Sequence, residues 1–116
     1  MTPEAKVKVK IDRWIQRNLL KAWKYKPRGG PFGKAGTGDY VVVYAMTPIM
    51  IEAKADETCE ATALQAHQLK LFSEAGGISC VMKGYQEWKL EIIKTLADTR
   101  FKILCEAEAS GVQIRC

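Results

Sequence analysis

Histidine occurs once in the 116-residue chain, at His67, and none of the four cysteines stands in a CxxC pair. Zinc ribbons and fingers need clustered Cys and His ligands, so this sparseness argues against them. Cys59, Cys80, Cys105 and Cys116 are widely spaced and read as reduced thiols. No apolar run reaches the ~20 residues of a membrane-spanning helix. Charge begins at Glu4, which leaves no secretory signal at the start. A cytoplasmic protein with no membrane partner is the expectation.

Phosphate-binding glycine fingerprints are missing too, although five of the nine glycines fall within residues 25–39. Gly33-Lys34 lacks the upstream Gly and the following Ser or Thr of a P-loop. Gly36-Thr37-Gly38 precedes an apolar strand pattern, whereas dinucleotide folds put their glycines after one. The segment reads as a loop facing substrate.

What is present is a globular balance, 47% hydrophobic and 27% charged, in one domain over 1–116. The net charge of +5 is uneven: residues 1–34 hold ten Lys or Arg against Glu4 and Asp12, and the remainder is net acidic. Such a basic segment fits a polyanionic partner, nucleic acid foremost, or a merely solubilising surface. TPEAKVKVKIDRWIQRNLLKAW predicts a helix, with Thr2 as N-cap, Pro3 at the first position and Glu4 favouring the dipole. Val7, Ile11, Trp14, Ile15, Leu19 and Ala22 form its apolar stripe. Lys6, Lys10, Arg13, Arg17, Lys21 and Lys24 form a basic one, within an arc of about 80°. Glu4 falls in the apolar stripe, either as a first-turn acid or as a carboxylate reaching a site from inside.

Two strands are expected over 40–45 and 48–53, followed by an acidic loop at 55–60. A helix opens on a Thr62–Gln65 capping box and closes at Gly76-Gly77. A buried strand over 78–82, a helix over 85–96 and a short strand around Phe101 to Cys105 complete the expectation. His67 reads as a surface or half-buried helix residue with no catalytic part, and Trp14, Trp23 and Trp88 as core rather than stacking platforms.

The hairpin raises a question, because its apolar strands begin at Asp39 and end at Glu52 and Lys54. Charges beside a core are costly unless paired, hydrated or bound to metal. Alternation puts Glu52 and Lys54 on one face, and a turn near residue 46 sets Asp39 across from about residue 53. Two close carboxylates call for a cation between them. Their hard oxygens suit Mg²⁺ or Mn²⁺, and a neighbouring lysine suits work on water or phosphate.

GTGDYVVVYAMTPIMIEAKADETCEATALQAHQLKLFSEAGG resembles the core of the VRR-NUC branch of the PD-(D/E)XK nuclease superfamily. The matching elements are Gly-x-x-Asp entering a strand, Ile-Glu-Ala-Lys, Leu-Gln starting a helix, and Ala-Gly-Gly closing it. The Thr-Pro-Glu helix is similar to the start of small stand-alone phage members, so the likeness spans about residues 2–96 and leaves 97–116 as an extension. It implies an α/β fold, a restriction-endonuclease-like mixed sheet flanked by helices. It implies Asp39, Glu52 and the Ala53 carbonyl as metal ligands, Glu4 as a further one through water, Lys54 as catalytic and Gln65 as orienting. Gln65 also has a purely local reading, as the capping-box residue. Gly38 stands where the superfamily usually has proline. A Mg²⁺- or Mn²⁺-dependent endonuclease acting on branched, Holliday-junction-like DNA as a homodimer follows, in a bacterial host cell if phage-encoded. Lys6, Lys10, Arg13, Arg17 and Lys34 are the expected DNA contacts. The alternatives are a non-catalytic nucleic-acid binder on the same scaffold and a protein-interaction module.

Overall fold

The computed structural model describes residues 1–27 and 38–111. The first helix, α1 (Pro3–Asn18), is capped as its sequence predicts, with the Thr2 hydroxyl accepting from the Ala5 N–H at 3.1 Å. It ends earlier than its apolar periodicity implies. Leu19 leaves helical geometry, the Asn18 side-chain amide donates to the Trp14 carbonyl, and Lys21 turns the chain at φ 63°. Leu19 is still buried, so its place in the stripe reflects core packing after the helix has stopped.

The next residues form β1 (Trp23–Tyr25), an element missing from the expected set. Three residues are too few to show a period of two. After β1 come β2 (Tyr40–Tyr44) and β3 (Thr47–Lys54), joined by a two-residue turn. Ala45 and Met46 both have positive φ, 49° and 62°, as the twist-matched hairpin turn requires. Helix α2 (Ala63–Glu74) then crosses to β4 (Ile78–Lys83), which pairs parallel to β3. Parallel neighbours need such a crossover. The mixed sheet has the order β1-β2-β3-β4.

The last element, α3 (Glu87–Ala109), corrects the expected strand around Phe101 to Cys105. Phe-Lys-Ile-Leu-Cys has strand-like composition, but no Gly or Pro interrupts the helix before Gly111 (φ 100°). Leu90, Ile93 and Ala97 anchor its inner face. The helix passes residue 96 without a break.

Strand alternation and register divide the sheet into two faces. Tyr40, Val42, Ile49, Ile51, Ala53 and Met82 point one way and pack beneath α1 and α3 as one core. Met50, Glu52 and Lys54 point the other way, where α2 contacts β3 and β4. Cys59, Cys80 and Cys105 are free thiols. Among the described residues, no helix is long and apolar enough to cross a membrane.

Candidate active site

The hairpin register pairs Tyr40 with Ile51, so one step further Asp39 stands opposite Glu52. That is one residue away from the expected partner, position 53, and it sets the two carboxylates side by side at the open end of the hairpin. The Asp39 N–H donates to Glu52 Oε2 at 3.2 Å, and the Ala53 N–H donates to Asp39 Oδ2 at 2.7 Å. In a strand, N–H and C=O of one residue face the same side, so the Ala53 carbonyl opens toward Asp39 as well. Gly38 makes this crossing possible. A Cβ there would lie 2.9 Å from the Ile51 carbonyl oxygen and 2.9 Å from Met50 Cγ. Proline carries a Cβ and would meet the same carbonyl.

Helix α2 brings Gln65 into the same group. Its Nε2 donates to Glu52 Oε1 at 2.9 Å, and its Oε1 accepts from Lys54 Nζ at 3.0 Å and from the Thr62 N–H at 2.9 Å. The Thr62 hydroxyl accepts in turn from the Gln65 N–H at 3.1 Å. One amide therefore closes the capping box and also spans Glu52 and Lys54. Lys54 Nζ lies 3.5 Å from Glu52 Oε1.

A lysine that sequence reading passed over completes the cluster. Lys8 Nζ is 3.1 Å from Asp39 Oδ1 and 3.4 Å from Glu4 Oε2. Its carbonyl accepts from the Tyr40 hydroxyl at 2.9 Å, which ties α1 to the strand next to Asp39. Glu4 thus reaches the site through Lys8 and lies outside the carboxylate pair. Among the described residues, no group of three or more His, Cys, Asp or Glu could hold a metal ion.

No protein-family model matches the chain, and no curated protein matches it either. Solved structures do. One named as a VRR_NUC domain superposes with a TM-score of 0.65 at 19% identity, covering 79% of this chain and 96% of that one. A second, named as a VRR_NUC domain protein, gives 0.57 at 19% identity over 84% and 88%. The chain has the VRR_NUC fold. The α/β architecture expected from the sequence is the one observed, and the Ile-Glu-Ala-Lys segment lies on β3, one of the two inner strands of the sheet.

Electrostatics singles out Glu52, which is 4% exposed. Burial, and then the charge of Asp39, push its carboxyl up to about 7, although Lys54 and the Asp39 N–H pull the other way. The positive charge of Lys54 thus compensates the ionised form only in part. At Lys8, burial lowers the ammonium's pKa, but Asp39 and then Glu4 outweigh it and the net shift is upward.

The basic residues divide. At 100° per residue, Lys6, Lys10, Arg13 and Arg17 lie on the flank of α1 opposite Glu4 and Lys8. There Lys10, Arg13 and Arg17 border a cleft with Trp14 and Tyr85. Lys21 and Lys24 leave the stripe because the helix has ended; Lys24 and Lys26 pair with Asp12. Lys34 lies outside the described residues. His67 is exposed, as expected. Of the tryptophans only Trp14 is core, and Trp23 and Trp88 are exposed. Both expectations fail for the same reason: each was placed by hydrophobicity alone, without an element packed over it.

Proposed function

We propose that this chain is a metal-dependent nuclease that hydrolyses DNA phosphodiester bonds. The observation that supports this most is the convergence of Asp39, Glu52, Lys54 and Gln65 at one end of the central strands. The donor set fits Mg²⁺ or Mn²⁺: two adjacent carboxylates, a neighbouring backbone carbonyl at Ala53, and a buried Glu52 short of positive charge. Asp39, Glu52 and the Ala53 carbonyl would hold the ion, with Glu4 reaching it through water. Such an ion supplies Lewis-acid activation of water and charge neutralisation at phosphate.

The remaining work falls to the chain's own groups. The Lys54 ammonium, 13% exposed, is placed to hold the attacking water or to stabilise charge growing on the phosphate. Gln65 fixes that ammonium against Glu52 and keeps both from turning away. Lys8 balances Asp39 while no metal is bound. The intact network favours catalysis over a purely binding role on the same scaffold.

Lys6, Lys10, Arg13, Arg17 and Lys34 would contact the DNA backbone, with the first four on the far flank of α1. Structured or branched DNA is the proposed substrate, cut by a homodimer that presents two sites. The exposed Trp88, Ile92, Leu96 and Ile103 share one side of α3 and would form the contact between copies. Sedimentation as a monomer at micromolar concentration would remove that element.

Calorimetric titration with Mn²⁺ tests the metal site apart from turnover. The wild type binds, and Asp39→Ala keeps its fold but binds at least tenfold more weakly. Lys8→Met binds roughly thirtyfold tighter, the scale of one unit charge removed at about 4 Å from a divalent ion in a water-like medium. Equal affinity of wild type and Asp39→Ala would contradict the assignment.

A further inference from the structure

The edge strand β1 carries two aromatic rings that the core does not use. Trp23 is 58% exposed and Tyr25 is 52% exposed, and their rings stack with centroids 6.0 Å apart and planes 18° from parallel. Large exposed aromatics side by side mark an interaction surface. The register shows which face they occupy. Trp23 pairs with Val43 and Tyr25 with Val41, and Val41 pairs with Met50. Paired residues share a face, so both rings lie on the face of Asp39, Glu52 and Lys54.

Tyr25 is one strand over and two residues along from Asp39, about 8 Å backbone to backbone. Trp23 continues the same line away from it. Lys24 and Lys26 point to the opposite face, where they pair with Asp12, and Lys26 Nζ sits 5.5 Å from the Tyr40 ring centroid. The aromatic strip is therefore neutral, suited to bases rather than phosphates. Two rings beside the half-exposed Val43 are also far short of the ~800 Å² per partner that a stable protein interface buries.

We propose that Trp23 and Tyr25 are a stacking platform for unpaired bases of the strand whose phosphodiester reaches Asp39 and Glu52. This rests on the nucleic-acid reading above and narrows it: the substrate carries a single-stranded segment next to the cleaved bond. Aromatic side chains bind successive bases through their π-faces with little regard for sequence. A fully paired duplex hides those faces in its own stack. The preference for interrupted DNA then comes from the sheet itself, beside the site.

Fluorescence anisotropy in EDTA, where no hydrolysis occurs, tests the platform with a labelled single-stranded oligonucleotide and its matched duplex. Trp23→Ala and Tyr25→Ala should each weaken single-strand binding about tenfold and change duplex binding less than about twofold. Trp23→Phe should keep most of the affinity, and far-UV circular dichroism should show the fold intact in all three. Equal loss on both DNA forms, or no loss, overturns the platform. So does light scattering in which Trp23→Ala converts a dimer into a monomer, since the rings would then join two copies. If the wild type binds single strands through Trp23 but never cuts DNA with Mn²⁺, the nuclease reading fails and the platform stands. If the wild type binds neither form, both fail.

Discussion

Lys54→Ala should cut DNA about 10²- to 10⁴-fold more slowly than the wild type, the range contributed by a positioned proton-transfer or charge-stabilising group. The loss should appear in kcat, with KM and Mn²⁺ affinity nearly unchanged. Lys54 is not among the oxygen ligands, and its ammonium is held by Gln65 at 3.0 Å and lies 3.5 Å from Glu52. Gln65→Ala should lose less rate, because it displaces the lysine without removing it, and about 1 kcal/mol of stability through the broken cap. Single-turnover cleavage with saturating Mn²⁺ separates these effects. A Lys54→Ala rate within tenfold of wild type would remove the lysine from the mechanism.

Glu52→Gln should change how stability depends on pH in the metal-free protein. The Glu52 carboxyl is pushed up to about 7 in the fold, above its ordinary value of 4.5. Between those values the folded protein keeps a proton that the unfolded chain has released. The contribution is therefore fully present below about pH 4.5 and is lost as pH rises through 7. It amounts to about 3 kcal/mol. Asp12 and Asp98 have depressed carboxyl pKa values, and their effects fall at more acidic pH, outside this window. Urea unfolding in EDTA at pH 5 and pH 8 should show wild type losing about 2–3 kcal/mol relative to Glu52→Gln. Parallel behaviour of the two proteins would mean that Glu52 is already compensated when no metal is bound.

The central hairpin was legible because strand alternation fixes faces without reference to anything distant. Glu52 and Lys54 share a side for that reason, whereas the side Asp39 takes depends on how the two strands pair; Gln65 was marked by its capping box. Their register was not legible, since it depends on a turn whose two central residues, Ala45 and Met46, carry no glycine signal. Lys8 escaped notice because it sits between two valines. Its four-residue spacing from Glu4, on the flank nearest Asp39, was the available sign. Trp23 and Tyr25 were lost with their strand, which is too short to declare a period and was divided between the preceding helical pattern and the glycine-rich loop. The far end of α3 was misread for the opposite reason. Phe101 and Ile103 look like strand residues, but an unbroken helix carries them outward, where burial has no say.

Labelled single-stranded, duplex, flap and four-way-junction DNA, each incubated with wild-type protein in Mg²⁺, Mn²⁺ or EDTA, gives the most direct test of the account. It predicts cutting that needs the divalent ion, is abolished by EDTA and by Asp39→Ala, and favours forms with unpaired bases over plain duplex. Cutting that persists in EDTA, or no cutting of any form by protein that binds Mn²⁺, would contradict it.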